Sequence, residues 1–258
     1  FGDLSLARSG GAAIGAATRI VFVGGRNADT AHFNTMDYVN PTSAGNATDF
    51  GDLTESRTIP AAFGNSTRGI MAGGEGDSST VTIDYITIAN TGNASDFGDL
   101  SEASTQTAGF ASPTRGVRTG GSANNGSAQT IIEYVTIANT GNVTDFGDLT
   151  AGRLNLGAAS SATRGLSGGG STGSNSNIID YVTIASTGNA SDFGDLSFAR
   201  SKVRAASSLI KAVFIIPSKA TDIVTIGTTG NATSFIDLTV KTVETGNMAN
   251  SNGHGGIA

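Results

Sequence analysis

The pentapeptide D-F-G-D-L stands at Asp49–Leu53, Asp96–Leu100, Asp145–Leu149 and Asp192–Leu196, with a shortened copy at Phe1–Leu4 and a worn one, S-F-I-D-L, at Ser234–Leu238. Such a recurrence makes the chain an array. One unit of this size cannot bury a core alone, so the units must stack on one another. The phenylalanines act as a ruler: Phe1, Phe50, Phe97, Phe146, Phe193 and Phe235 are separated by 49, 47, 49, 47 and 42 residues. The Arg of a recurring T-R-G (Arg19, Arg68, Arg115, Arg164, with Lys211 in the fifth copy) lies 18 residues after its Phe. The Tyr of I-D-Y (Tyr38, Tyr85, Tyr134, Tyr181, with Ile223 in the fifth) lies 12 before the next. Two blocks are therefore constant in length, and all variation falls between them.

Each repeat carries four strand signals. A small apolar strand follows D-F-G-D-L, as in Ala61–Phe63, and a polar turn leads to a second strand ending in a Gly pair, as in Gly69–Gly74. After the variable segment comes the strongest strand, rich in β-branched residues with an aromatic, as in Val81–Ala89. The turn T-G-N, whose Asn and Gly tolerate positive φ, leads into a fourth strand expected to end at the ruler Phe. Four antiparallel strands in about 40–50 residues describe a propeller blade; a β-solenoid would show shorter rungs and length-preserving coils. The expected fold is all-β: a propeller of about five four-stranded blades forming one domain over residues 1–258. Its repeats run at about 5–53, 54–100, 101–149, 150–196 and 197–238, with 239–258 as a closing strand segment. A sixth blade from further chain is the alternative. The fifth repeat has decayed: Ile216–Pro217 replace Gly-Gly and Ile223 replaces Tyr.

Composition narrows function mainly by exclusion. With a net charge of −6 and no basic cluster, the chain lacks the footprint of a nucleic-acid binder. It has no cysteine, hence no disulfide framework and no thiolate metal site. No apolar run approaches the roughly 20 residues of a membrane helix, so membrane insertion is not expected. The chain lacks an initiating Met and begins inside a motif, which fits a processed product or a piece of a longer protein.

The order Arg, small apolar strand, Gly-Gly, hydrophobic-acid-Tyr, aromatic resembles the kelch-type propeller repeat over essentially the whole chain. The matching residues are the pairs Gly24–Gly25, Gly73–Gly74, Gly120–Gly121 and Gly169–Gly170, the four Tyr, and Arg8, Arg57, Arg153 and Arg200. It departs in having no Trp: Phe50, Phe97, Phe146 and Phe193 stand where such blades carry one. The phrase T-G-N-A-T-D-F-G-D-L-T-x-A-R is also similar to repeats in virion structural and tail-fibre proteins of marine, especially cyanobacterial, phages. That resemblance implies a virion or extracellular location, with other virion proteins, copies of itself or a host-surface glycan as partners.

Several side-chain sets admit two chemistries. The Asp pairs Asp49/Asp52, Asp96/Asp99, Asp145/Asp148 and Asp192/Asp195, with Asn46, Asn93, Asn142 and Asn189 upstream, offer clustered oxygens for Ca²⁺. Alternatively they are turn chemistry, the second Asp holding the Arg five residues on. No D-x-D-x-D-G loop is present, which favours the turn. The sequons at Asn46, Asn93, Asn142, Asn189 and Asn231 recur at one position, which a hairpin turn explains. Arg19, Arg68, Arg115, Arg164 and Lys211 form either an anion site or blade-bridging charges beside the acids Asp37, Asp84, Glu133 and Asp180.

No catalytic constellation is visible. His32 and His254 are the only imidazoles, and no nucleophile elbow or phosphate loop occurs. The functional lead is the variable segments Arg26–Thr35, Glu75–Ile83, Ser122–Ile132, Ser171–Ile179 and Ser218–Thr221. In an up-and-down blade they leave the same face as D-F-G-D-L. They carry Arg26, Asn27, Asp29, His32, Asp77, Asn124, Asn125, Asn175 and Asn177, suited to a sugar or a polar surface. The expectation is a non-enzymatic binding propeller; a purely structural assembly module is the alternative.

Overall fold

The computed structural model describes residues 1–29, 31–215 and 220–238. The expected closing segment 239–258, the pair Ile216–Pro217, residues Ser218 and Lys219 of the segment Ser218–Thr221, and His254 lie outside the described residues. Within them the chain is all-β and forms a five-bladed propeller of antiparallel four-stranded sheets. No helix is long and apolar enough to cross a membrane among those residues. Blade 1 runs Ala12–Gly15, Ile20–Val23, Thr35–Val39 and Thr48–Asp52, each strand beside the next. Blade 2 repeats this with Ala61–Gly64, Arg68–Ala72, Thr82–Thr87 and Ser95–Asp99. Blade 3 uses Ala108–Ala111, Arg115–Thr119, Ile131–Thr136 and Thr144–Asp148. Blade 4 uses Gly157–Ser160, Arg164–Gly168, Ile178–Thr183 and Ser191–Asp195. Blade 5 uses Arg204–Ser207, Lys211–Ile215, Ala220–Thr225 and Thr233–Asp237. The first strands are innermost, and those of blades 1 and 2, 2 and 3, 3 and 4, and 4 and 5 pack against one another.

The fourth strand runs two residues past the ruler Phe instead of ending at it. In the four complete repeats a register shift in the ladder of the third and fourth strands sits at the acid of I-D-Y, as between Ile83 and Asp84. This irregularity lets Phe97 turn inward, 2% exposed and edge-on to Tyr85 at 5.9 Å, while Gly98 meets the next blade. Phe50, Phe146 and Phe193 repeat the contact with Tyr38, Tyr134 and Tyr181.

Apolar burial lies between blades as much as within them. One cluster joins Val21, Met36 and Phe50 of blade 1 to Met71, Ile86 and Ile88 of blade 2. Three more join blades 2 and 3, 3 and 4, and 4 and 5. Three polar devices accompany each of these seams. The first is the outer strand: Asp52 N–H donates to Asn93 Oδ1 of the next blade, and Gly92 N–H to the Phe50 carbonyl. Asp99 with Asn142, Asp148 with Asn189 and Asp195 with Asn231 repeat it. Gly98, with φ of 144°, lies flat on Gly141, and a Cβ there would collide with the Gly141 carbonyl. The second is the Gly pair, whose second N–H donates to a carbonyl of the chain entering the next blade: Gly25 to Arg57, Gly74 to Ser104, Gly121 to Arg153, Gly170 to Arg200.

The third device is the T-R-G arginine. Arg68 stacks over Tyr85 of its own blade at 4.4 Å and donates to the Ile137 carbonyl of the next at 2.8 Å. Arg19, Arg115 and Arg164 do the same with Ile88, Ile184 and Ile226. These arginines bridge blades, but they do not sit on the acid before each Tyr, as expected; neighbouring residues of a strand face opposite ways. That acid is buried and pairs with the other arginine: Asp37 with Arg8, Asp84 with Arg57, Asp180 with Arg153. The second Asp of D-F-G-D-L, expected to hold that Arg, instead gives its backbone N–H to the clasp. Replacing Arg68 by Ala is expected to cost about 1–2 kcal/mol, the worth of a stacked cation and one charge-assisted hydrogen bond. Urea unfolding would show it as a lower midpoint at unchanged slope.

Blade 3 solves the buried acid differently. Ser104 stands where Arg57 and Arg153 do, and the cation moves to Arg118, directly opposite Glu133 in the register of the second and third strands. Its Nη1 lies 3.5 Å from Glu133, and its Nη2 donates to Gln129, which also accepts from Ser104 and donates to Glu102. Burial pushes the Arg118 guanidinium down to about 10, against the opposing pull of Glu133 and Glu102. In blade 5, Asp222 is held by Ser197, while Arg200 donates to Ala199 and approaches the Phe198 ring.

The seam from blade 5 back to blade 1 is different. None of the four apolar clusters joins those blades among the described residues. Lys211 replaces the stacking Arg and bonds Thr225 of its own blade. Pro41 occupies the sequence position of Ile88. Against blade 1, residues 1–3 take the place of a preceding outer strand, through Asp3 N–H to Asn46 Oδ1 and Ala47 N–H to the Asp3 carbonyl. Phe235 of blade 5 is 50% exposed, against 2% for its four counterparts.

Candidate functional site

The variable segments fold as short arms on the face where the chain crosses between blades. The base of each arm pairs with the crossing chain: Arg26 with Ser9, Glu75 with Thr58, Ser122 with Thr105, Ser171 with Leu154. The shared face expected for these segments and the D-F-G-D-L exits is therefore present. The segments are shorter than expected, because Ile83, Ile132 and Ile179 are core residues and Gln129 belongs to the buried network of blade 3.

The expected ligand-binding side chains do not converge on one point. Asn27 and Asn125 shape their own tips, accepting from the N–H groups of Ala31 and Ser127. Asp29, Asn124 and Asn175 are exposed, and Asn177 is half-buried beside its strand. His32 and Asp77 do come together, with Glu55, around an open groove of about 500 Å³ between the arms of blades 1 and 2. His32 pairs along the arm with Arg26, and its Nε2 is buried without a hydrogen-bond partner. In the set that offered Ca²⁺ as the alternative to turn chemistry, each Asn spends its oxygen on the Asp N–H of the preceding outer strand or, at Asn46, on the N–H of Asp3. No group of three or more His, Asp or Glu is arranged to hold a metal among the described residues.

One concavity draws on all five blades. It holds about 200 Å³ where the crossing chains enter the innermost strands, and Arg26, Glu75, Gln106, Asn155, Lys202 and Arg204 line it. Its rim is one repeat position, nine residues after the ruler Phe: Gly10, Ile59, Gln106, Asn155 and Lys202. All five have φ between 47° and 70°. Gly adopts this without penalty, but a β-branched residue such as Ile59 is strained, at an order of 1–3 kcal/mol. Backbone bonds tie the rim together: Ile59 N–H to Gly10, Asn155 N–H to Gln106, Val203 N–H to Asn155. Asn155 Nδ2 also donates to Gln106 Oε1 at 2.8 Å. Of these residues only Arg26 was among the sequence candidates. The missed signal was in view: this position holds five different residues in a repeat that otherwise copies itself closely.

No protein-family model matches the chain, and no curated protein matches it. The fold and this geometry are therefore what bear on function.

Proposed function

We propose that the chain is a non-enzymatic recognition module, carried on a virion or otherwise extracellular, that binds host-surface carbohydrate or protein with its variable-arm face. One observation carries the reading. The repeated residues are consumed in holding blade to blade, while the residues that differ between repeats collect on one face around the axis. Arg8, Arg57, Arg118 and Arg153, whose proton affinity burial lowers, are engaged with buried acids and so serve the fold. The kelch-type order and the phage-like wording of the repeat support the fibre setting.

The test uses the tip of the blade 3 arm, Ala123 to Ser127, of which residues 124–127 are exposed and none belongs to a core cluster. Replacing it with Gly-Ser of equal length is expected to lower binding to host cells or a glycan array at least about tenfold, with unfolding unchanged; tenfold corresponds to roughly 1.4 kcal/mol. Unaltered binding would remove this arm from the recognition surface. The second reading, a module that docks onto copies of itself or other virion proteins, is favoured by blade 5. There Leu209, Ile210, Phe235 and Ile236 are all more than half exposed or at half.

A further inference from the structure

We infer that the groove between the arms of blades 1 and 2 binds an amino sugar, a ligand with one ammonium and several hydroxyls. The inference rests on the recognition reading and names a ligand class for it. Ala31 and His32 form one side of the groove, Gly76 to Thr80 the other, and Glu55 and Ser56 of the crossing chain complete it. Its charged groups are both acids, Glu55 and Asp77, and no Lys or Arg lines it. Arg57 reaches Glu55 at 3.3 Å, but its shorter bond, at 2.7 Å, is to the buried Asp84. One cation there stands against two acids, and Asp77 adds a third on the exposed side. No three of the acids and His32 are arranged to hold a metal ion among the described residues, so the cation that the groove fits is an ammonium. His32 adds an unmet group to the wall, since its Nε2 is buried without a hydrogen-bond partner among the described residues. A hydroxyl both donates and accepts, so it satisfies that nitrogen in either tautomer.

The rest of the lining separates a sugar amine from a lysine side chain. Ser56, Ser78, Ser79 and Thr80 offer hydroxyls, and Ala31 is the one apolar residue. A lysine needs apolar surface for its four-carbon stem, whereas a sugar carries hydroxyls to meet these groups. The volume of about 500 Å³ lies within the roughly 300–1,000 Å³ of small-molecule sites. The pair of acids is also particular to this place. Asn124 and Gly173 stand where Asp77 does, while Glu102, at the position of Glu55, is bonded to Gln129, and Ala151 follows in the next repeat. A feature that the array does not copy is not needed to hold blade to blade.

The experiment is calorimetric titration of the full chain with glucosamine, N-acetylglucosamine, glucose, ethanolamine and N-acetyl-lysinamide. Glucosamine is expected to bind at least about fivefold more tightly than each of the others, the effect of a charge-assisted contact weakened by solvent and added to the hydroxyl contacts. Asp77→Asn and Glu55→Gln keep the side-chain shapes and each remove one charge. Each is expected to cut the preference for glucosamine over glucose about threefold, with the unfolding midpoint unchanged, because exposed charges contribute little to stability. No binding of glucosamine, equal affinity for glucose or the N-acetyl sugar, or variants that keep the wild-type preference would each overturn the assignment. Ethanolamine bound as tightly would reduce the groove to an ammonium site, and the lysine probe bound as tightly would make its ligand a protein; either result overturns the amino sugar. The two readings fail separately. If the 123–127 tip replacement lowers surface binding while glucosamine is not bound, the groove falls and recognition stands. If the unaltered chain binds no host surface, glycan or protein partner, recognition itself falls.

Discussion

Replacing Arg153 by Ser is expected to destabilise the propeller by about 3–5 kcal/mol, the cost of leaving a buried carboxylate without its cation. Arg153 and Asp180 are both fully buried, and Arg153 also donates to the carbonyls of Gly169 and Ile178. Among the described residues Asp180 then keeps only the Thr150 hydroxyl and N–H as partners. Blade 3 supplies the rescue. There the same position is Ser104, and the cation stands on the second strand at Arg118, opposite the acid. The blade 4 residue opposite Asp180 is Ser167. The double variant Arg153→Ser, Ser167→Arg therefore rebuilds the blade 3 arrangement one blade on, and recovery of at least about half of the loss is expected. Chemical unfolding of the wild type, the single variant and the double variant measures both steps. A double variant no more stable than Arg153→Ser would mean that blade 3 depends on its whole network of Glu102, Ser104 and Gln129, not on the position of the cation.

The second large effect separates the repeated seams from the one between blades 5 and 1. Phe97→Ala is expected to cost about 3–5 kcal/mol, since the ring is 2% exposed and packs edge-on to Tyr85. Phe235→Ala changes the corresponding residue of blade 5, which is 50% exposed, and is expected to stay within about 0.5 kcal/mol. Thermal and urea unfolding of the two variants gives the contrast. Similar losses at both positions would show that Phe235 is covered in solution.

Much of the fold was legible because the constant-length blocks are the seams. A Phe, an Arg 18 residues on and a Tyr 12 before the next Phe keep their spacing because the Phe and the Arg both pack on the Tyr of their own blade while the Arg bonds a carbonyl of the next, where an inserted residue would break the contact. The partner of each arginine was less legible. Arg57 lies five residues from Asp52 in sequence, yet bonds Asp84, 27 residues on, because the crossing chain carries it over the third strand of its own blade. Distance along the chain does not show which of two acids lies beneath. The arms were overestimated at their far ends, since Ile83, Ile132 and Ile179 read as part of a variable stretch while their burial is constant. The axial rim was hidden for a different reason: left-handed backbone is normally announced by Gly or Asn, and Ile59, Gln106 and Lys202 carry no such mark.

The seams have a direction. At every one of the four sealed joints, the earlier blade supplies the outer strand, the Gly pair and the stacking Arg, and the later blade supplies the Asn turn, the entering carbonyl and the Ile carbonyl. Such head-to-tail surfaces are complementary to the neighbouring unit and never to themselves. Copying one repeat therefore copies both halves of the joint together, and a tandem duplication inherits a matched interface with no further substitution. Only the meeting of last and first falls outside that inheritance. It is there that Lys211, Ile223 and Pro41 depart from the pattern.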